Sequence, residues 1–215
     1  MFIKKQSKFC NNYRSKKMQS IKQKLGFEQP SSSCKTILGI VGSPRRGANT
    51  EILVDSVLAG ASENGASATK VILSELNIAP CRACNKCQRD GRCIHEDDMA
   101  DLIALMEKSD VWVFGTPIYW WGPSAQFKAF IDRWYGINHG IFQGKQVILT
   151  IAMGGSNEHY ARHTIGMFRD ICNYLGMECI DVIVAPRMRG RKSAQENMQL
   201  METAKEAGGF ATNHE

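Results

Sequence analysis

Residues 36–50, Thr-Ile-Leu-Gly-Ile-Val-Gly-Ser-Pro-Arg-Arg-Gly-Ala-Asn-Thr, constrain the fold of this chain more than any other stretch. Ile37, Leu38, Ile40 and Val41 are a short apolar run rich in β-branched side chains, the pattern of a parallel strand buried on both faces. The run gives way to Gly, Ser, Pro, Arg and Asn, and Glu51–Ala61 then takes up a helical pattern. A strand, a loop of small residues and a helix N-terminus make an anion site. The first N–H groups of the helix have no partner within it, and the helix dipole places positive charge at that end. Ser43, Asn49 and Thr50 add hydroxyl and amide donors, and Arg45 and Arg46 add charge, so the loop reads as a phosphate cradle. It is neither of two better-known loops. Gly42 and Gly47 have the spacing of a nucleotide-hydrolase loop, but Ala48 and Asn49 stand where that loop needs Lys and a hydroxyl. Gly39, Gly42 and Gly47 do not make G-x-G-x-x-G. What remains suits a single terminal phosphate, with an ordinary strand-to-helix turn as the plainer alternative.

The rest of the chain alternates strand and helix patterns. The first helix ends near Gly65, and Ala68–Leu73 reads as a second strand. Asn77–His95 is irregular and holds four cysteines. Met99, Leu102, Ile103 and Met106 follow i, i+3, i+4, i+7, a helix with Glu96, Asp97 and Asp98 at its N-terminal side. Asp110–Gly115 is a third strand entering the loop Thr116-Pro-Ile-Tyr-Trp-Trp-Gly-Pro123, and Ser124 caps a helix whose face is Phe127, Phe130, Ile131 and Trp134. Val147–Ala152 is a fourth strand ending in Met153-Gly-Gly-Ser-Asn157. A helix over 158–175 stops at Gly176, Met177–Ala185 is a fifth strand, and a last helix follows Ser193. Such alternation predicts an α/β domain with a parallel sheet and right-handed crossovers. The loops after strands one, three and four then share the carboxyl edge, where ligands bind in sheets of this kind.

Composition narrows the function classes. Of 27 Lys and Arg and 21 Asp and Glu, nine basic residues and one acid lie in residues 1–35, leaving 18 against 20 in residues 36–215. The formal charge of +6 therefore belongs to a tail, and it makes no case for nucleic acid as a partner. Residues 1–35 read as a basic, disordered extension ahead of a domain spanning 36–215, with organelle targeting as an alternative. No apolar run approaches the ~20 residues that cross a membrane, and residues 1–35 have no apolar core of a secretory signal. Four of the eight cysteines fall between Cys81 and Cys93, too densely for a disulfide framework, so a reducing, cytoplasmic compartment is expected.

Gly-Ser-Pro-Arg-Arg-Gly-Ala-Asn-Thr at 42–50 and Thr-Pro-Ile-Tyr-Trp-Trp-Gly-Pro-Ser-Ala-Gln-Phe-Lys-Ala-Phe-Ile-Asp-Arg at 116–133 resemble the flavodoxin-like NAD(P)H-dependent FMN reductase superfamily. With Cys81, Cys84, Cys87 and Cys93 between them, the chain most resembles its iron-sulfur flavoprotein branch over residues 36–190. The resemblance implies a flavodoxin-like, doubly wound sheet of five parallel strands in the order 2-1-3-4-5, with a cysteine-rich loop inserted. It also implies FMN at the carboxyl edge. Ser43, Arg45, Asn49 and Thr50 would hold the phosphate, Pro117, Ile118, Tyr119 and Trp120 would line the isoalloxazine, and Met153, Gly154 and Gly155 would lie on its other side. The implied activity moves electrons between NAD(P)H, or a ferredoxin-like donor, and a small acceptor. A plain FMN reductase and a non-enzymatic electron carrier are the alternatives. No catalytic acid or base is identified. A flavin on a sheet edge is exposed, so a homodimer or homotetramer covering loop 118–123 is expected.

Cys81, Cys84, Cys87 and Cys93 read C-x2-C-x2-C-x5-C, with three thiolates at intervals of three, as in ferredoxin-type runs that hold a [4Fe–4S] cluster. Gly91 would let the chain turn back so that Cys93 closes the site. Zinc, a redox-active thiol pair and free thiols stay open as alternatives. His95 reads as a solvated loop residue, Cys172 and Cys179 as small buried residues, and Arg187, Arg189, Arg191 and Lys192 as a solvated basic loop.

Overall fold

The structure, a computed structural model, describes residues 34–213. Five strands, β1 (Thr36–Val41), β2 (Ser67–Ile72), β3 (Val111–Pro117), β4 (Gln146–Ala152) and β5 (Glu178–Ala185), form one sheet in the order β2-β1-β3-β4-β5. Every pairing is parallel. The helices are α1 (Asn49–Glu63), α2 (Lys86–Asp90), α3 (Met99–Glu107), α4 (Ala125–Asp132), α5 (Arg162–Leu175), α6 (Ser193–Glu196) and α7 (Met198–Asn213). The expectation for the N-terminal extension lies outside the described residues except at Cys34 and Lys35. Lys35 is tied to the domain, donating to Gln146 Oε1 at 3.2 Å and Ala211 O at 3.0 Å.

Alternation along β1 explains the layering. Leu38 and Ile40 face a core of Trp112, Phe114, Leu149 and Ile151 packed under α3, α4 and α5. Ile37 and Val41 face the opposite core of Val111, Val113, Ile148 and Ile183 under α1 and α7. β3 and β4 are buried along their whole length, as central strands covered on both faces must be. α1 and α7 approach so closely that a Cβ on Gly60 would overlap the Lys205 backbone, and one on Gly208 would overlap that of Val57.

The elements differ from the sequence reading mainly at their ends. The helix expected over 158–175 begins as a 3-10 turn, Glu158–Ala161, before α5. Trp134 lies in a 3-10 turn, Arg133–Gly136, rather than on α4. The last helix is broken at Asn197 between α6 and α7. Among the described residues, no helix is long and apolar enough to cross a membrane.

Candidate functional site

The loop from Gly42 to Ala48 runs from β1 into α1 at the carboxyl edge. Gly42 N donates to Gly115 O at 2.7 Å, and Gly42 O accepts from Ser124 Oγ at 2.5 Å. Ser124 therefore does two things: its hydroxyl also caps α4, accepting from Phe127 N at 3.2 Å. Ser43 and Thr50 are buried, and Ser43 Oγ accepts from Arg45 N at 3.2 Å. The N-cap of α1 is Ala48, which offers no side-chain acceptor to the first helical turn. That end of the helix is thus built to meet an anion from outside the chain. Buried Glu51 braces the loop from behind, accepting from Gly47 N at 2.7 Å and pairing with Lys70 at 2.9 Å and Arg46 at 3.3 Å. Burial alone would raise its pKa, but bonds from Lys70, Gly47 N–H and Arg46 hold it below the ordinary carboxylate value.

Asn49 has its side chain committed within the chain. Its amide does not present a free donor: Nδ2 donates to Met188 O at 3.3 Å and Gly190 O at 2.7 Å, and Oδ1 accepts from Ala194 N at 3.0 Å. The residue straps the cradle to the segment after β5. That segment is the solvated basic loop expected, with Arg187, Arg189, Arg191 and Lys192 all exposed, and its backbone is tied to the site. Arg187 N donates to Gly155 O at 2.8 Å, Met188 N to Met153 O at 2.9 Å, and the Arg191 guanidinium to Arg46 O. Arg45 itself is exposed at the cradle's rim.

The second and third loops enclose an open cleft of about 200 Å³ lined by Ile118, Trp120, Trp121, Met153, Gly154, Gly155 and Tyr160. Tyr119 and Gly122 close a two-residue turn, with bonds of 2.9 and 3.1 Å between their backbones. Trp120 and Trp121 fill its central positions at φ 49° and 63°. A hairpin turn of that geometry normally takes Asn-Gly, so two tryptophans there are held against their backbone preference. Trp121 O is fixed by Thr164 Oγ1 at 3.1 Å, while Trp120 is 90% exposed. Of the residues expected at the ring, Ile118, Trp120, Met153, Gly154 and Gly155 meet at this cleft. Pro117 is buried at the end of β3 and Tyr119 lies outside the lining. Trp121 and Tyr160 line the cleft although the sequence motif did not select them. Tyr160's only signal is its position just after the third loop.

The cysteine loop leaves the sheet after β2. Cys81 and Cys84 are exposed, Cys87 and Cys93 half-buried, and all four are free thiols. Ala83, Asn85 and Gly91 adopt left-handed backbone, and Gly91 ends α2 with a bond to Cys87 O at 2.9 Å. The acidic run before α3 closes the neck of this loop rather than only facing the helix dipole. Asp98 Oδ2 accepts from Asn77 N at 2.8 Å and Asp97 Oδ2 from Ala79 N at 3.0 Å. Asp97 also holds Arg133 at 2.6 and 3.0 Å. Burial opposes ionisation of both, yet their mutual bonds keep Asp97 below and Arg133 above their ordinary pKa values. His95 lies half-buried in the loop, with its Nε2 buried and without a partner, as is Trp134 Nε1. Among the described residues, no three His, Cys, Asp or Glu side chains are grouped closely enough to hold a metal ion.

Residues 36–186 match the family model for NADPH-dependent FMN reductase. The chain belongs to this family. Its similarity to curated proteins falls in the iron-sulfur flavoprotein branch. It is 32% identical to the iron-sulfur flavoprotein of Methanosarcina thermophila, covering 66% of this chain and 74% of that protein. It is 33% identical to one from Methanocaldococcus jannaschii, over 60% of this chain and 67% of that one. The fold also matches an NAD(P)H:quinone oxidoreductase from Methanothermobacter marburgensis with a TM-score of 0.66, at 18% identity over 85% of this chain and 98% of the other. This member of the FMN reductase family is an FMN-dependent oxidoreductase.

Proposed function

We propose that the cradle at 43–50 holds the FMN phosphate, that the cleft between the second and third loops holds the isoalloxazine, and that Cys81, Cys84, Cys87 and Cys93 hold a [4Fe–4S] cluster. The convergence of three loops at one sheet edge, around a cleft walled by Trp120 and Trp121, carries this reading. The phosphate fits a helix end left uncapped by Ala48, beside the buried hydroxyls of Ser43 and Thr50 and the guanidinium of Arg45. The ring fits a largely apolar wall opposite glycines 154 and 155, which allow close backbone approach. The cluster is supported by the donor set, four free thiols within one 13-residue stretch at ferredoxin-like spacing, which would have to draw together around it.

Bound FMN takes up a hydride or single electrons, and a bound cluster takes one electron at a time. The chain's part is to bind, orient and shield. Arg45 and the first turn of α1 bind the phosphate, Ile118 and Trp120 exclude water from the ring, and Asn49 locks the cradle to the strap at 188–194. Electrons come from NAD(P)H or a ferredoxin-like donor and leave to a small acceptor, in a reducing compartment such as the cytoplasm.

Anaerobic purification tests the reading. About four irons and four sulfides per chain are expected, with flavin bleached by NADPH or NADH in the absence of oxygen. Cys84→Ser should lose the iron and keep FMN, since the cradle is built on a different loop. Flavin that neither nucleotide bleaches rules out the hydride route, and one zinc or no metal per chain rules out the cluster.

A further inference from the structure

Gly154 and Gly155 both line the cleft, and their surroundings differ. Neither has left-handed backbone, so no turn demands glycine at either position. Gly154 has open space where a Cβ would stand. At Gly155 a Cβ would lie 2.6 Å from the ring of Tyr160, closer than side chains tolerate. The third loop is not free to yield, because Met188 N and Arg187 N hold the carbonyls of Met153 and Gly155 at 2.9 and 2.8 Å. Gly155 is a seat for the Tyr160 ring. Tyr160 itself is placed by the 3-10 turn ahead of α5. Asn157 caps that turn, its Oδ1 accepting from His159 N at 2.9 Å and its O from Tyr160 N at 3.1 Å. One helical turn further on, buried Thr164 donates to Trp121 O at 3.1 Å. Segment 157–164 therefore carries one aromatic side of the cleft and fixes the other. Tyr160 nonetheless stays 43% exposed, so core packing does not account for its place.

We infer that Tyr160 is a specificity-determining residue of the cleft: seated on Gly155, in a segment tied through Thr164 to the tryptophan turn, it packs its ring against the isoalloxazine and limits the cleft to a planar conjugated system. This rests on the proposed placement of the flavin ring between the second and third loops. Aromatic side chains hold flat π-systems through stacked or edge contacts as well as through buried area. The contact belongs to the aromatic ring and not to the phenol hydroxyl, so phenylalanine should serve in its place. It is also a contact with the flavin ring and not with its phosphate, which is held on a separate loop.

Apoprotein of the full chain and of its Tyr160→Phe, Tyr160→Ala, Gly155→Ala and Tyr160→Ala/Gly155→Ala variants is titrated with FMN and with riboflavin, which has the ring without the phosphate, following flavin fluorescence. Melting temperatures of the apoproteins report the fold. Tyr160→Ala should weaken both flavins by the same factor, about tenfold, and Tyr160→Phe should bind as the wild type does. Gly155→Ala should weaken both flavins similarly, by displacing the Tyr160 ring, and should therefore add no further loss in the double variant. If Gly155→Ala does not fold, Tyr160→Ala against Tyr160→Phe decides the matter; if riboflavin binds too weakly to measure, the FMN series decides it. Unchanged affinities, additive losses, a loss confined to FMN, or a Tyr160→Phe as weak as Tyr160→Ala overturn this inference and leave the placement of the flavin standing. If Ile118→Ser on the second loop also leaves flavin binding unchanged, the ring does not lie in the cleft, and that placement falls together with the inference.

Discussion

Trp120 and Trp121 show how a site is written in single residues. Side chains at positive φ in a two-residue turn cost on the order of 1–3 kcal/mol each, and such strain collects at ligand-binding positions. Arg45 is the opposite case, an exposed side chain at the mouth of the cradle, useful only to something that arrives there. Arg45→Ala should weaken FMN by about 1.5–3 kcal/mol through loss of a charge-assisted hydrogen bond, at least about tenfold in Kd. Fluorescence titration of the apoprotein measures this, and the melting temperature of the apoprotein should not move. Cys179 departs from the small buried residue expected of it. It is half-buried, its Sγ donating to Asp181 O at 3.8 Å, and its neighbour Cys172 holds its pKa below the ordinary thiol value.

At the scale of elements, the neck of the cysteine loop is a device of α4, α3 and the segments between them. Asp97 lies below the ordinary Asp value of 3.8, so its ionised form is favoured by folding. The pair's contribution is complete above about pH 5 and is lost as pH falls past 3.8 through the lower folded-state value. Removing one partner of a buried pair costs about 3–5 kcal/mol. Thermal melts of wild type and Asp97→Asn should therefore differ by several kcal/mol at pH 7, and the difference should shrink steadily below pH 3.8. A gap that stays constant down to pH 3 contradicts this. The elements were legible in the chain because their signals are local. β1 is a run of β-branched residues, α3 has its apolar residues at helical spacing, and Ser124 caps α4 as a helix-capping residue does. Trp134 was misplaced because the helical spacing continues past Asp132, where the backbone tightens to a 3-10 turn that brings Arg133 to Asp97 and Gly136 to Cys87.

At the scale of the whole molecule, the aromatic turn stands out from the surface: Tyr119, Trp120 and Trp121 are 42%, 90% and 45% exposed. Large apolar side chains grouped in this way mark an interaction surface, and it adjoins the proposed ring site. A second copy of the chain covering it would exclude water from the cleft. Light scattering at micromolar concentration should give two or four times the chain mass, and Trp120→Asn should lower it; a monomer that still binds FMN tightly contradicts the assembly. The chain by itself determined the strands, the parallel sheet and the three loops, because strand periodicity, glycine-rich turns and right-handed crossovers act over a few residues or follow general rules of connection, while the strand order followed from the family resemblance at 42–50 and 116–133. It also carried the cradle and the cysteine spacing, since both are contiguous. Only the tertiary structure decided which donors remain free. Asn49 is committed to Met188, Gly190 and Ala194, about 140 residues away along the chain. Tyr160 reaches the cleft because α5 begins one turn late, and Arg133 meets Asp97 across 36 residues. A hydrogen bond depends on distance in space and not along the chain, so these partners could be found only once the sheet had folded.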